Sequence, residues 1–469
     1  MIGDFPINRL GVVRPSAAAL ALLALAGCGQ ARAPRPVGGH ARDASARRYV
    51  HRVAVTVVDG DSGRLLAQAR VTVGRRSART NARGVALVPA PRNATLRTRV
   101  TAEGYQAAAA VVSYRRFPRY TVRLYRPALQ WPLYGADPAR TQAQPEIRLR
   151  PPFRLLWSRG LGAMLEFPAV VVDGRAYIGN AQGTVFALDM TDGSVLWRRR
   201  TWHGKMAASP AVWGGRLVVH GMDGRVRVLR RSDGRPLATY DVGAPIESSP
   251  VVRDGIDYLG SWNGTVEALD LRRGRVRWRF PSGCKITSSA ALAGSTLYIG
   301  DYCGRLLALS PATGRLRWAG AVNGRIYGTP AVAAGRVFVG SSDGGSMNAF
   351  TTRGRALWRR YFGSYVYSSP AVWGGRVFFG TYAGRFYALD AATGATRWSV
   401  GAGGPISGAA VVVGGIAYAG SFAHRIVGVD ARRGRVVLDF PHGEYVPVSG
   451  DGRRLLLHGY SRLYAVTGR

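Results

Sequence analysis

Residues 365–400 carry the pattern that decides the fold, in the sequence YVYSSPAVWGGRVFFGTYAGRFYALDAATGATRWSV. It contains four short segments, SSPAVW, GRVFFG, GRFYALD and ATRWSV, and glycine-rich turns lie between them. Short apolar or alternating segments bounded by glycines predict β-strands joined by hairpins. The stretch therefore predicts a four-stranded antiparallel sheet.

The same pattern recurs along the chain with a period of 40 residues. A tryptophan in the fourth segment marks the period at Trp278, Trp318, Trp358 and Trp398. A glycine that closes the second segment marks it at Gly260, Gly300, Gly340, Gly380 and Gly420. A period of this length with four strands in each unit is typical of a β-propeller.

The two ends of the repeat region complete one another. Full units run from Leu161 to Pro441, and residues 442–469 supply only three further strands. The missing fourth strand precedes the first unit, in the sequence FRLLW at residues 153–157. We therefore predict an all-β, eight-bladed β-propeller over residues 153–469, with a last blade formed by residues 153–160 and 442–469.

The repeat resembles the pyrroloquinoline-quinone (PQQ) repeat family. Asp189, Asp270 and Asp390 each lie eight residues before a tryptophan, with a tight turn between them. In that family the tryptophan packs on the adjacent blade. The resemblance implies this blade-docking role for Trp197, Trp278, Trp318, Trp358 and Trp398. Two units depart from the pattern, with Ala238 and Leu438 at the tryptophan position.

Residues 128–152, the lead-in segment, contain the sequence WPLYGAD at residues 131–137. This sequence also resembles the segment that precedes propellers of the PQQ-repeat family.

The N-terminus has the pattern of a secretory signal. Arg9 and Arg14 precede a short apolar stretch at residues 17–26, which is too short to span a bilayer as a stable helix. The sequence LAGC that ends at Cys28 resembles a bacterial lipobox. We therefore expect a signal peptide at residues 1–27, lipidation of Cys28 and a flexible tether at residues 28–49. An ordinary signal peptide with Cys28 incidental is the alternative.

Residues 50–127 have the pattern of a small β-sandwich. Alternating segments such as VAVTVVD and QARVTVG follow one another at short intervals and predict antiparallel strands. This region resembles the carboxypeptidase regulatory-like, transthyretin-type domains, which act as spacer or adhesive modules. The matching residues are Asp59, Gly63, Ala69, Val71, Gly84, Gly104 and Tyr105.

The formal net charge is +39, and almost all of it comes from arginine. Arginines alternate with apolar residues in the fourth strands, where they face solvent and protect a sheet edge. Others fall in the turns that join strands one to two and three to four, which open on one face, here called the lower face. We expect that face to lie toward anionic lipid or an anionic envelope polymer. Secretion argues against a nucleic-acid partner.

The opposite, upper face carries aromatic residues that predict recognition of a peptide, a sugar or a partner protein. The candidate binding residues are Trp202, Trp262, Tyr302, Tyr365, Tyr382, Phe422 and Tyr460, with Tyr327 and Tyr445 on the same face. Packing between blades is the alternative role for each of them. Antiparallel pairing places Cys284 and Cys303 nearly opposite, which predicts a disulfide in an oxidising compartment. Free buried thiols are the alternative.

The fold does not determine function. A quinoprotein dehydrogenase of this fold would bind PQQ over Ca²⁺, and Glu247, Asn263 and Asp301 are conceivable ligands on one face. Ordinary turn chemistry accounts for Asn263 and Asp301, and the adjacent cysteine pair common in those enzymes is absent from the sequence. We assign no catalytic or metal-binding residue and expect no cofactor.

The sequence favours a non-catalytic, membrane-anchored cell-envelope binding or scaffold protein. The combination of lipobox and repeat resembles the propeller lipoproteins of the outer-membrane β-barrel assembly machinery, which lack the sandwich found here. By that resemblance we expect a monomer whose partner is an envelope protein or an anionic polymer. A PQQ-dependent oxidoreductase is the alternative function.

Overall fold

The computed structural model describes residues 52–91, 95–113, 119–200 and 204–468. The predicted signal peptide, the tether, the lipidation site at Cys28 and the candidate binding residue Trp202 lie outside the described residues.

The N-terminal region forms two sheets that share one apolar core. The strands are β1 (Arg52–Asp59), β2 (Arg70–Val73), β3 (Arg76–Arg79), β4 (Val85–Pro89), β5 (Thr95–Thr101), β6 (Ala108–Ser113) and β7 (Arg119–Leu124). One sheet has the order β4-β1-β7 and the other β3-β2-β5-β6. Every second residue of β1 is buried, as in Val53, Val55 and Val57, because a strand presents alternate side chains to the core.

The expectation of a purely antiparallel arrangement is wrong for one pair. Strands β1 and β7 run parallel. Parallel neighbours require a long connection, and here strands β2 to β6 provide it: β2, β3, β5 and β6 form the second sheet, and β4 pairs with β1 in the first.

A 3₁₀-helix at Pro127–Leu129 and the short strand β8 (Ala143–Gln144) follow. Beyond them, the described residues form eight successive four-stranded sheets, numbered here in chain order. Sheet 1 is β10 (Val170–Val172), β11 (Arg175–Gly179), β12 (Thr184–Asp189) and β13 (Val195–Arg200). Sheet 2 is β14 (Ala211–Trp213), β15 (Arg216–His220), β16 (Arg225–Arg230) and β17 (Pro236–Asp241). Sheet 3 is β18 (Val251–Arg253), β19 (Ile256–Gly260), β20 (Thr265–Asp270) and β21 (Arg275–Pro281). Sheet 4 is β22 (Ala291–Ala293), β23 (Thr296–Gly300), β24 (Arg305–Leu309) and β25 (Leu316–Ala321).

The remaining sheets repeat this plan. Sheet 5 is β26 (Ala331–Ala333), β27 (Arg336–Ser341), β28 (Ser346–Thr351) and β29 (Ala356–Tyr361). Sheet 6 is β30 (Ala371–Trp373), β31 (Arg376–Gly380), β32 (Arg385–Asp390) and β33 (Thr396–Gly401). Sheet 7 is β34 (Val411–Val413), β35 (Ile416–Ser421), β36 (Arg425–Asp430) and β37 (Val436–Pro441), to which β8 adds a parallel strand. Sheet 8 is β38 (Val448–Gly450), β39 (Leu455–His458), β40 (Arg462–Gly468) and β9 (Phe153–Gly160).

Sheet 8 joins the two ends of the repeat region. Strand β9 pairs antiparallel with β40, and Phe153 lies opposite Gly468. The first strand of sheet 8 also contacts the first strand of sheet 1. The sheets therefore follow one another in a propeller-type arrangement.

Burial differs between the inner and outer strands of each sheet. All residues of β35 are buried, because both faces of an inner strand pack against neighbouring sheets. The outer strand β21 alternates between exposed and half-buried residues. Its sequence RVRWRFP places the arginines on the exposed side, as the sequence pattern predicts.

The first strand of each sheet is shorter than the segment SSPAVW suggested. In sheet 6 it begins at Ala371, after Pro370, because proline has no N–H to contribute to a strand ladder. In sheets 2 to 5, the residue that precedes this proline position bonds to the next sheet instead. Its backbone N–H donates to a side-chain hydroxyl 40 residues ahead, at 2.8 to 3.2 Å. The donors are Ser209, Ser249, Ser289 and Thr329, and the last accepting hydroxyl is that of Ser369.

Tryptophans of the outer strands bond to the following sheet. Each indole N–H donates to a backbone carbonyl in that sheet at 2.9 to 3.2 Å. The pairs are Trp157 and Met190, Trp197 and Arg231, Trp278 and Pro311, Trp318 and Thr352, Trp358 and Ala391, and Trp398 and Ala431. Gly314 shows the fit: a Cβ there would come within 2.5 Å of the Trp278 ring.

The lead-in segment runs through the centre of the ring of sheets. Its backbone carbonyls accept hydrogen bonds from first-strand N–H groups at 2.6 to 2.9 Å. The donors are Val171, Val212, Leu292, Val332, Val372 and Val412, in sheets 1, 2, 4, 5, 6 and 7. The segment therefore fills the axis and closes it below the upper face.

Arg140 of the lead-in segment is fully buried and reaches sheet 3, one of the two sheets that lack such a backbone bond. Its guanidinium donates to the carbonyls of Ser249 at 2.9 Å and Pro250 at 3.0 Å, in the loop that leads into sheet 3. It also donates to the carbonyls of Ala290 and Tyr134. Burial lowers the pKa of Arg140 to about 10, so the group keeps its charge at neutral pH.

The N-terminal sheets contact the lower face. The side chain of Gln130 donates to Asp61 at 3.1 Å and accepts from the backbone N–H of Asp173, in the first turn of sheet 1, at 2.8 Å. A cleft of about 780 Å³ between them is lined by arginines and carboxylates together, including Arg231, which pairs with Asp173 at 2.6 Å. The lower face is therefore partly covered, and its arginines are partly neutralised near this contact.

Candidate functional site

A cavity of about 540 Å³ opens at the centre of the upper face. Its walls come from the loops that lead into the first strands and from the turns between second and third strands. Tyr134 of the lead-in segment is buried beneath it, and its hydroxyl donates to the Ser369 hydroxyl at 3.1 Å. The lead-in segment thus gives the central channel a floor and makes the cavity blind.

Aromatic side chains form a continuous row along this face, here called the aromatic row. Adjacent rings have centroids 4.8 to 6.1 Å apart, the range of favourable aromatic pairs. The row consists of Tyr302, Tyr327, Tyr367, Tyr365, Tyr382, Phe422 and Tyr445. Six of the seven line the cavity; Tyr302 lies outside it.

The row continues to Trp262 through a lysine. The Lys285 ammonium lies 3.3 Å from the centre of the Trp262 ring and 5.1 Å from that of Tyr302. The Trp262 indole N–H donates to the Glu247 carboxylate at 3.0 Å. Trp262 is 37% exposed, so this edge of the site is open to solvent.

A disulfide holds this edge in place. Cys284 and Cys303 are joined, with their Cα atoms 5.8 Å apart. Cys284 lies in the loop before sheet 4, next to Lys285, and Cys303 lies in the turn that carries Tyr302. The bond therefore fixes the loop that bears the ammonium against the turn that bears the first ring of the row.

The cavity lining is acidic, in contrast to the whole chain. Lysine and arginine outnumber aspartate and glutamate 65 to 26. Within the part of the chain that the structure describes, the lining includes Glu166 and Glu247 and no lysine, arginine or histidine. The chain has two lysines, and both lie at the rim: Lys205 pairs with Glu166 at 2.5 Å, and Lys285 contacts Trp262.

Burial raises the pKa of Glu247, and repulsion from the Glu166 carboxylate adds to that shift. Burial also raises the pKa values of Tyr302, Tyr367 and Tyr445. These three hydroxyls are therefore neutral at any physiological pH. They can donate hydrogen bonds while their rings present apolar faces.

The structure brings four of the candidate binding residues into the aromatic row: Tyr302, Tyr365, Tyr382 and Phe422. Trp262 lies at its end. Tyr460 is 50% exposed and is not among the described residues that line the cavity. Its backbone carbonyl accepts a hydrogen bond from Leu165.

Sequence reasoning missed Tyr134, Tyr367 and Glu166 as site residues. Tyr367 could have been found, because it lies 40 residues after Tyr327 and three before Pro370. Glu247 was considered only as a calcium ligand, although it holds this same repeat position. Tyr134 lies in a segment without the repeat, so the periodicity carries no signal for it.

The described residues do not fit PQQ with calcium. PQQ is a tricarboxylic acid, and a lining with two glutamates and no cationic side chain would repel it. The oxygens of Asp301 accept from the N–H groups of Cys303 and Arg305 and from the Arg305 guanidinium. The Asn263 oxygen accepts from Ser261 and Thr265. Among described residues, no group of three or more histidine, cysteine, aspartate or glutamate side chains is placed to hold a metal ion.

A family model described as outer membrane protein assembly factor BamB matches residues 152–259 and 262–467, which is more than half of the chain. The chain belongs to the BamB family. Outer membrane protein assembly factor BamB of Escherichia coli (strain K12) is 31% identical over 104 residues. That match covers 22% of this chain and 26% of the relative, so it spans about a quarter of the relative's length.

Two solved structures share the fold of this BamB-family chain. BamB from Moraxella catarrhalis has a TM-score of 0.58 at 16% identity, covering 67% of this chain and 99% of that one. Quinohemoprotein alcohol dehydrogenase from Comamonas testosteroni has a TM-score of 0.62 at 16% identity, covering 72% and 81%. These likenesses concern the propeller-type fold and do not decide between a scaffold and an oxidoreductase.

No helix in the described ranges is of the length and apolarity that a membrane crossing requires.

Proposed function

We propose that this BamB-family chain is a non-catalytic scaffold of outer-membrane protein assembly, anchored to the membrane by a lipid on Cys28. The match of the BamB family model to the propeller residues supports a role in outer-membrane protein assembly. The observation that carries the binding role is the aromatic row, whose rings line a blind cavity on the upper face. Exposed tyrosines that present large, rigid surfaces are typical of protein recognition sites.

The architecture in this proposal is an eight-bladed propeller that holds a carboxypeptidase regulatory-like module against its lower face. The succession of eight sheets and the pairing of β9 with β40 support the blade count. The module bonds to the propeller through Gln130, which leaves the upper face free for a partner. The acidic lining of the cavity argues that this partner is a protein and not an anionic polymer.

Affinity capture tests the proposal. The full-length, lipidated chain with a C-terminal tag would be recovered from detergent-solubilised envelopes of its own cells, together with a Tyr382→Ala/Phe422→Ala variant. We expect a protein of outer-membrane assembly to co-purify with the unaltered chain and to be lost from the variant. A Tyr120→Ala variant is the matched control, since this 38% exposed tyrosine lies in strand β7 of the N-terminal sheets, outside the described cavity lining.

Two results would contradict the proposal. One is equal recovery of envelope proteins with all three chains, which would remove the upper face from binding. The other is reduction of an electron-accepting dye by the purified protein when PQQ, Ca²⁺ and an alcohol or sugar are added, which would make the chain an oxidoreductase.

A further inference from the structure

The charged side chains that line the upper-face cavity are opposite in sign to the net charge of the whole chain. The formal net charge of the chain is +39, yet the described cavity lining holds two carboxylates and no cationic side chain. The cavity therefore has a local potential suited to a positively charged ligand.

Glu247 is the cavity carboxylate without a contacting ion pair, although the Lys205 and Lys285 ammoniums attract it from farther away. Glu166 has Lys205 at 2.5 Å, whereas the donor recorded for Glu247 is the neutral indole N–H of Trp262, at 3.0 Å. Among the described residues, no lysine, arginine or histidine forms an ion pair with Glu247. A largely buried carboxylate with no cation in contact is costly, so a cation that a ligand brings into contact with it would be stabilised here.

The aromatic row supplies the second element of such a site. Ring faces attract cations within about 6 Å of the ring centre. Tyr327, Tyr365, Tyr367 and Tyr382 line the cavity together with Glu247. The rim already stabilises one ammonium in this way, because Lys285 lies 3.3 Å from the centre of the Trp262 ring.

We infer that the upper-face cavity is a binding site for an organic cation, an ammonium or guanidinium group held between the Glu247 carboxylate and the tyrosine rings. The cavity of about 540 Å³ has room for an arginine or lysine side chain and part of the backbone that carries it. The inference rests on the proposed function, since it names the chemistry by which the upper face would recognise a partner.

Calorimetric titration of the purified soluble protein tests the inference. The probes are N-acetyl-arginine amide, N-acetyl-lysine amide and tetramethylammonium, with N-acetyl-citrulline amide as the neutral analogue of arginine. We expect the three cations to bind and citrulline to bind at least about tenfold more weakly. Equal affinity for arginine and citrulline, or no heat from any cation, would overturn the inference.

Variants locate the site. Glu247→Gln keeps the shape and hydrogen bond of the side chain but removes its charge, and we expect it to weaken arginine binding about five- to thirtyfold. Tyr327→Leu should weaken it similarly. The matched controls are Glu103→Gln, an exposed carboxylate of the N-terminal sheets, and Tyr120→Leu in strand β7. Unchanged affinity in Glu247→Gln would contradict the inference, and a melting curve for each variant verifies that it is folded.

A further titration with a peptide identifies whether the cation belongs to a polypeptide or to a free small molecule. If the pentapeptide Ala-Ala-Arg-Ala-Ala binds more tightly than the single residue, the site accepts a chain that carries the cation; equal affinity indicates a free small cation. Both outcomes support the inference. The unaltered protein separates the inference from the proposed function: if it captures the envelope partner but binds none of the cations, only the cation site is refuted.

Discussion

The Tyr240 hydroxyl donates a hydrogen bond of 3.1 Å to the backbone carbonyl of Leu271 in the next sheet. The same relation joins Trp197 to Arg231 and Trp278 to Pro311. Sheet 2 has Ala238 where a tryptophan is expected, and Tyr240, two residues later, takes over its contact. Gly274 lies against the Tyr240 ring, as Gly314 lies against Trp278.

Removing the Tyr240 hydroxyl tests this replacement. We expect Tyr240→Phe to lower the free energy of unfolding by about 1 kcal/mol, because the Leu271 carbonyl loses its donor. Tyr240→Ala should cost about 3 kcal/mol, since the ring contact is lost as well. Urea denaturation measures both. Tyr361→Phe, at an exposed position of the outer strand of sheet 5, should change nothing; an equal loss there would refute the assigned contact.

The period of 40 residues made the sheets predictable, because each unit must present the same strands and turns to its neighbours. Sheet 8, which contains strands from both ends of the repeat region, was predictable too, since residues 153–157 supply the strand that residues 442–469 lack. The course of the lead-in segment was not. Its hydrogen bonds join residues up to 270 positions apart, such as Gln142 and Val412, and no local pattern encodes them.

Arg140 allows the role of the lead-in segment to be measured. Arg140→Met leaves the carbonyls of Ser249, Pro250 and Ala290 without their buried donor. We expect a loss of at least about 3 kcal/mol in the free energy of unfolding, seen as a lower thermal midpoint. Arg148→Met alters an exposed arginine of the same segment and should leave the midpoint unchanged. A similar midpoint for both variants would show that the buried guanidinium does not tie the sheets together.

Acid should weaken the contact between sheets 8 and 1. His458 is buried, and its Nε2 accepts from the backbone N–H of Ala169 at 3.1 Å. Burial lowers the pKa of His458 to about 4 from an ordinary 6.5. Between these values the unfolded chain binds a proton that the folded chain does not, so stability falls as pH falls through this window.

The contribution of His458 should reach about 3 kcal/mol between pH 7 and pH 4. His458→Gln keeps an acceptor for Ala169 and removes the titration. Denaturation of both proteins across this range should therefore give a shallower pH dependence for the variant. Parallel curves would contradict a buried neutral imidazole.

The disulfide between Cys284 and Cys303 should stabilise the upper face. It closes a loop with a sequence separation of 19 residues, for which chain entropy gives about 3 kcal/mol. We expect reductant to lower the thermal midpoint of the unaltered protein and not that of a Cys284→Ser/Cys303→Ser variant. If reductant lowers the thermal midpoints of both proteins equally, the loss of stability does not come from the Cys284–Cys303 disulfide.

The candidate site was predictable in part. The upper-face aromatics could be read from the repeat because successive units place them at related positions. The acidic lining could not be predicted from the repeat. Glu166 and Glu247 come from the loops of different sheets and meet only in the folded ring of sheets. The floor of the cavity depends on Tyr134, whose position follows from the course of the lead-in segment.

The central claim is that the upper face binds an envelope protein. Photo-crosslinking in the native cells tests it most directly, with a photoreactive amino acid at position 382 and, in a second strain, at position 120 in strand β7 of the N-terminal sheets. The account predicts an adduct with an envelope protein from position 382 and none from position 120. Adducts from position 120 alone, or none from position 382 while the protein is folded and membrane-bound, would contradict it.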